Sequence, residues 1–217
     1  MLEQLQSTIL FLVALVFSIS VHEFSHAWSA SELGDPTATK LGRRTLNPLV
    51  HFDPLGALMI LFMAFSGWGL GWGKPVPVNP YNLRVNPRVG MGLTAAAGPF
   101  SNLVLAALFA IPLRLAVGMP ALAQTFLWTM VITNVTLAVF NLIPLPPLDG
   151  FNVVQGLLGT FRTRWAYEWG ARLDRLAIFG PVLLLGLLSM GWIFGFNVIG
   201  RIMGPPRDAL LRLILGY

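Results

Sequence analysis

Leu10-Phe11-Leu12-Val13-Ala14-Leu15-Val16-Phe17-Ser18-Ile19-Ser20-Val21-His22-Glu23-Phe24-Ser25-His26 is the stretch that decides how this chain reads. Its first part is apolar apart from two serines. With its flanks, about residues 5–31, it is long enough to cross a bilayer as a helix. Its last five residues carry two imidazoles and a carboxylate. On a helix His22 and His26 stand at i and i+4, so both project from one face and can share a metal ion, with Glu23 beside them. Ionisable groups inside a membrane segment are costly and mark a functional site.

The rest of the chain supports the membrane setting. Of 217 residues, 55% are hydrophobic and 11% charged, whereas soluble domains carry about 25% charged residues. The mean hydropathy of +0.71 agrees. These values predict an all-α polytopic membrane protein with about four to six membrane segments. The length suits a single membrane domain over 1–217. The net charge of +5 lies on residues between apolar runs, which reads as membrane-surface charge rather than a nucleic-acid footprint. With no cysteine, a transition metal must be held by His, Asp and Glu. The N-terminus lacks a basic region and a small-residue cleavage site, so 5–31 is expected to be a retained span.

Further apolar runs fall at about 55–72, 91–117, 121–143 and 176–199. The first ends at Gly34-Asp35-Pro36, a helix stop. Residues 37–53 are polar and turn-rich. The 55–72 run is broken by Gly56, Gly67, Gly69 and Gly71. The prolines of 73–90 exclude a helix there and allow an extended, edge-like strand, so a re-entrant or β-like element is expected between the first and middle spans. Small residues around Ala95-Ala96-Ala97-Gly98 permit close helix approach. From 161 to 176, Phe161, Trp165, Trp169, Leu173 and Leu176 alternate with arginines, as in an interfacial amphipathic helix. Trp68, Trp72, Trp165 and Trp169 read as interface anchors. The last ten residues form a less regular amphipathic tail.

The distribution of Lys and Arg sets orientation. Only Glu3 precedes the first run, while Lys40, Arg43 and Arg44 follow it, so the N-terminus is expected outside and 35–53 in the cytoplasm. Lys74, Arg84 and Arg88 also fall inside, which makes 55–72 re-entrant. Asp149 then lies on the same, cytoplasmic side as His26. Arg201, Arg207 and Arg212 end outside, against the rule.

A catalytic zinc takes three protein ligands and keeps a position for water, on which Glu23 would act as general base. His22 and His26 supply two. Glu32, Asp35, His51, Asp53 and Asp149 are candidates for the third. Glu32 has the spacing of HExxHxxGxxH sites but not their glycine, and on a continuing helix it rises about 9 Å beyond His26. Asp149 is preferred, because a carboxylate at a break in a membrane helix needs a partner. The alternative for Asp149 is a helix cap.

His22-Glu23-Phe24-Ser25-His26, Gly98-Pro99-Phe100-Ser101-Asn102 and Asn141-Leu142-Ile143-Pro144-Leu145-Pro146-Pro147-Leu148-Asp149-Gly150 occur in the order in which the site-2 protease family (peptidase M50) carries such elements, and the chain resembles that family over about 5–160. The resemblance is to its small bacterial branch, without PDZ or CBS domains. It implies one Zn²⁺ per chain held by His22, His26 and Asp149, with Glu23 as base. It implies that Asn102 and Asn141 bind substrate backbone or position the reacting carbonyl. The implied activity is endoproteolysis within or near transmembrane segments of other membrane proteins, in the cell membrane.

Rival readings are an inactive relative that binds membrane segments, and a metal transporter. The intact Glu23 argues against the first, and the lack of internal repeats against the second. Asn102 and Asn141 could equally serve as interhelical hydrogen-bonding residues. His51 reads as a loop histidine rather than a ligand, its functional alternative being a supporting or substrate-gating residue. No residue pattern sets an oligomeric state.

Overall fold

The computed structural model describes residues 2–66, 73–115 and 118–216. Ten α-helices occur among them: α1 (Leu2–Glu32), α2 (Thr37–Lys40), α3 (Pro48–His51), α4 (Pro54–Ser66), α5 (Pro87–Leu115), α6 (Ala121–Asn141), α7 (Asp149–Thr160), α8 (Arg164–Ala177), α9 (Gly180–Phe194) and α10 (Val198–Leu215), with one 3₁₀ turn at Pro80–Asn82. Three helices, α1, α5 and α6, are long and apolar enough to span a bilayer. A fourth span results if α8 and α9, bent by 67° at their junction, count as one. The described residues are those of an all-helical, multi-pass membrane protein with three such helices, or four if the bent pair is one span, where the sequence led to an expectation of four to six.

These helices put small residues inside and large ones outside. Ala14, Ala27, Ala30, Ala106, Ala110 and Ala138 are buried, while Ile9, Val13, Phe17, Leu108 and Ile111 are exposed. That is the arrangement of a bundle whose solvent is lipid, where close backbone packing rather than apolar burial holds helices together. α5 is the central element and packs on α1, α6 and α7. Its upper part meets α6 through Ala106, Ala110, Val131, Val135 and Val139, joined by Leu215 of α10. Its lower part meets α7 at a glycine pair. A Cβ on Gly92 would stand 2.6 Å from the Gly156 Cα, so only two glycines let the backbones approach this closely.

The 55–72 run yields α4, thirteen residues long and about 20 Å at 1.5 Å per residue, too short to span. Gly67, Trp68, Gly69, Gly71 and Trp72 lie outside the described residues. The expectations for 73–90 and 176–199 need correction. No β-strand forms among the described residues of 73–90; the only pairing is an isolated antiparallel bridge between Phe52 and Gly73. The prolines of that stretch remove ladder donors, and Pro87 in fact opens α5, where its missing N–H is not needed. Asn86 Oδ1 caps that end, accepting from the N–H of Arg88 at 3.0 Å. Finally, 176–199 is not one segment. α9 stops at Gly195, whose φ of 68° is left-handed, and Asn197 Oδ1 starts α10 by accepting from Gly200 N–H at 2.7 Å.

The polar stretch after α1 folds around Asp35. This fully buried carboxylate accepts from Thr37 N–H and Oγ1 (3.1 and 2.5 Å), Asn79 N–H (2.7 Å) and Asn82 Nδ2 (2.8 Å). Arg43, also buried, donates to the Lys74 carbonyl at 2.5 Å. Residues 74–79 are thus held at both ends as an extended strap beside the C-terminal half of α1.

Candidate metal centre

α1 delivers His22 and His26 to one face, and α7 delivers Asp149 as its first residue. His22 Nε2 and His26 Nε2 are 3.0 Å apart. Asp149 Oδ2 lies 3.1 Å from the first and 3.4 Å from the second. Among the described residues this is the one group of three or more His, Asp or Glu residues able to hold a metal ion.

What lies behind the imidazoles fixes which nitrogens face the centre. His26 Nδ1 stands 2.7 Å from the Thr94 carbonyl, which can only accept, so Nδ1 carries the proton. His22 Nδ1 stands 2.7 Å from Asn102 Oδ1. Asn102 is oriented in turn, because its Nδ2 donates to the Ser18 carbonyl (3.3 Å) and to Asn134 Oδ1 (2.8 Å). Asn134 Nδ2 donates to the Met130 carbonyl at 2.9 Å. The chain of donors ends on two backbone carbonyls and leaves the His22 proton on Nδ1. Both Nε2 lone pairs therefore converge on Asp149 Oδ2, a buried oxygen that no donor reaches.

Three acceptors facing one another repel unless a cation lies between them. Two ligands on a tetrahedral zinc with bonds of about 2.0–2.1 Å stand about 3.3 Å apart. The observed separations of 3.0, 3.1 and 3.4 Å match that spacing, and the donor set of two imidazoles and a carboxylate suits zinc. The helix N-terminus at which Asp149 sits favours its negative charge.

Two glycines make room. A Cβ on Gly98 would lie 2.5 Å from His26 Nε2 and 2.6 Å from His22 Cε1, so α5 passes directly against the Nε2–Cε1 edges of the two rings. A Cβ on Gly150 would collide with the Leu142 and Ile143 carbonyls, so the turn that presents Asp149 closes only on glycine.

The centre opens into a cavity of about 940 Å³, with Glu23, Thr94, Asn141, Asn152, Val76 and Val78 among its lining residues. Glu23 is half-buried there beside the two histidines. Asn141 lines the cavity and donates Nδ2 to the Leu137 carbonyl at 3.0 Å. Asn102 is placed differently from a substrate contact: it is fully buried behind His22 with its polar atoms engaged. His51 is buried, its Nε2 2.7 Å from the Thr45 carbonyl, and is not in the metal group. Glu32 pairs with Arg44 at 3.1 Å, Asp35 is used as described, and Asp53 caps α4 through Gly56 N–H at 3.0 Å. Asn134 escaped the sequence reading, although an amide in the middle of the apolar 121–143 run was a signal for it. The Thr94 carbonyl left no signal, since every residue has one.

A cavity beside two histidines and a glutamate of one helix turn, with a carboxylate closing the set, is the arrangement of a metallopeptidase. The profile of peptidase family M50 matches residues 112–185. Over 209 residues the chain is 41% identical to "Putative zinc metalloprotease YwhC" of Bacillus subtilis (strain 168), covering 93% of this chain and 89% of that protein. It is 29% identical over 213 residues to "Putative zinc metalloprotease Rip2" of Mycolicibacterium smegmatis, covering 94% and 80%. It is 31% identical over 184 residues to the protein of the same name in Mycobacterium tuberculosis, covering 82% and 67%. No solved structure matches the chain. The chain belongs to peptidase family M50, the site-2 protease family, and is a metalloendopeptidase.

Proposed function

We propose that the chain hydrolyses peptide bonds within or near transmembrane segments of other membrane proteins, with one zinc ion held by His22, His26 and Asp149. The observation that carries the reading is the convergence of two Nε2 lone pairs, fixed from behind, on an Asp149 oxygen without a donor. Bound there, zinc supplies an electrophile that polarises the scissile carbonyl and lowers the pKa of water towards about 7.

The chain's own residues do the rest. Glu23 takes the proton of the attacking water and passes it to the leaving amine. Asn141 Oδ1 remains available to a substrate N–H, because its Nδ2 is committed to Leu137. Asn102 acts through His22. The strap contributes Val76 and Val78 to the cavity wall, and their backbone N–H groups have no partner among the described residues. A substrate helix that unwinds beside the strap can pair with those two donors as an added strand. His51 supports the strap, since its carbonyl accepts from Lys74 N–H at 2.7 Å. The basic residues Lys40, Arg43, Arg44, Lys74, Arg84 and Arg88 lie in the segments between α1 and the start of α5, which favours a site near the cytoplasmic side of the cell membrane.

The test combines metal analysis with cleavage of a model transmembrane substrate by purified protein. Wild type is expected to hold one zinc and to cleave. Glu23→Gln is expected to hold zinc and not cleave, and Asp149→Ala to lose zinc. Cleavage by Glu23→Gln would remove Glu23 as base, and zinc retained by Asp149→Ala would move the third ligand elsewhere.

A further inference from the structure

The helix after α7, which carries Asp149, has three unlike faces. Ala166 and Gly170 of α8 are buried against the bundle. At helical spacing from them, Trp165, Trp169 and Leu176 form an apolar stripe that is 59%, 43% and 59% exposed. Arg164, Arg172 and Arg175 fall along the third face, with Arg162 just before the helix. Only Glu168 opposes them, paired with Arg164 at 2.7 Å. Arg172 stacks on Trp169 at 5.2 Å, and Arg162 and Arg175 meet no carboxylate among the described residues. The remaining acid of α8, Asp174, is paired instead with Arg88 of α5 at 2.8 Å.

An apolar stripe bordered by unneutralised arginines suits a surface that is apolar below and anionic above. The 67° bend between α8 and the apolar α9 turns α8 out of the direction of α9, as for a helix at the headgroups. A free phosphate would satisfy the arginines but leave Trp165, Trp169 and Leu176 in water, so a phospholipid fits where an inorganic anion does not.

α8 is also tied to the metal centre. Gln155 of α7 is buried, and its Nε2 donates to the Gly170 carbonyl (3.1 Å) and to Asp174 Oδ1 (2.6 Å), both on α8. α7 is a single short helix that begins at Asp149 and is wedged on α5 at the Gly92–Gly156 contact. A displacement of α8 is passed through Gln155 to the helix that carries Asp149.

We propose that α8 binds anionic phospholipid headgroups through Arg162, Arg164, Arg172 and Arg175, and that this contact holds α7, and with it Asp149, in place at the metal centre. The second half rests on the assignment of Asp149 as a ligand made above. The test uses the full chain in phosphatidylcholine vesicles with and without phosphatidylglycerol. Brominated lipids report contact by quenching tryptophan, read as the difference from Trp165→Phe/Trp169→Phe. A chelator challenge reports zinc retention. Wild type should be quenched more by brominated phosphatidylglycerol than by brominated phosphatidylcholine, and should keep zinc several-fold longer when the anionic lipid is present. Inorganic phosphate should do neither.

Arg164→Gln/Arg172→Gln/Arg175→Gln replaces exposed side chains only and should lower the anionic preference about tenfold or more while zinc retention in phosphatidylcholine stays as in wild type. Gln155→Leu should keep the lipid preference and lose its effect on zinc. An undiminished preference in the triple variant overturns the lipid site. A preference without any effect on wild-type zinc retention overturns the coupling. Wild type that holds zinc in a lipid-dependent way yet cleaves no transmembrane substrate would instead strike the protease reading alone.

Discussion

Asn102 Nδ2 donates to Asn134 Oδ1 at 2.8 Å, and this bond between α5 and α6 decides which nitrogen of His22 on α1 is free for a metal. Both amides are fully buried. A neutral imidazole has one donor and one acceptor, so whatever faces Nδ1 selects the role of Nε2. Because the Asn102 amide group is occupied by Asn134 and Ser18, only its oxygen can face His22. Three helices are thereby locked to one protonation state of one ring.

Asn134→Leu should therefore weaken zinc binding without unfolding the bundle. Loss of the direct partner of a metal ligand typically costs about 10–100-fold in affinity; Asn134 acts one step further back, through Asn102, so its loss should fall at or below the lower end of that range. Asn134→Asp keeps an acceptor for Asn102 and should retain more of the affinity than Asn134→Leu. Competition with a chromogenic chelator measures both, with circular dichroism as the check on folding. Equal affinity in Asn134→Leu and wild type would mean that the ring is oriented without this chain of amides.

Gly98→Ala tests the close passage of α5. Its methyl would sit 2.5–2.6 Å from atoms of both imidazoles, which must then rotate or move. Overpacking of this kind costs about 1–3 kcal/mol. Here the cheapest relief is displacement of the rings, so zinc affinity should fall more than thermal stability. A variant that binds zinc normally but melts early would place the strain in the helix packing instead.

The candidate metal site was more legible in the sequence than the fold around it. His22, Glu23 and His26 stand out because ionisable groups at i and i+4 on an apolar helix are too costly to stand there without a metal or a partner. Asp149 stands out because a carboxylate at a membrane-helix break has the same need, and the structure puts it 3.1 Å from His22 Nε2. The helix count was harder, since apolar runs do not reveal where they bend. Residues 176–199 read as one span, yet Gly195 and Asn197 end one helix and begin another. The prolines of 73–90 were read as excluding helix throughout, whereas Pro87 is a helix start because a first-turn residue needs no N–H partner. The Thr94 carbonyl behind His26 could not be read at all, because backbone acceptors are independent of residue type.

Gly156→Val should separate stability from ligation in the other direction. The Gly156 Cβ position lies 2.7 Å from the Gly92 Cα, a backbone atom that cannot rotate away. α7 must move off α5, which should cost about 1–3 kcal/mol or more and carry Asp149 with it. Thermal melts should shift down, and zinc should be lost at lower chelator concentration than in wild type. Gly159→Ala, where the nearest atom is a side-chain carbon of Arg88 at 3.0 Å, should have a smaller effect on both.

Asp35 gives a pH dependence confined to the strap over residues 74–79. Burial by itself would raise its carboxyl pKa, but the hydrogen bonds from Thr37, Asn82 and Asn79 outweigh burial and hold it below the ordinary carboxylate value. A group depressed in the folded state stabilises that state fully above its unfolded pKa, about 3.9. Its contribution is lost as pH falls from there through the lower folded value. Hydrogen exchange at the Asn79 amide, which donates to Asp35 Oδ2 at 2.7 Å, should reflect this. After correction for intrinsic exchange, protection should be flat from neutral pH down to the ordinary carboxylate range and then decline. Asp35→Asn replaces the charged acceptor of four bonds, so it should cost about 1.5–3 kcal/mol of local stability and flatten the decline. An unchanged acid dependence in that variant would show that another group titrates the strap.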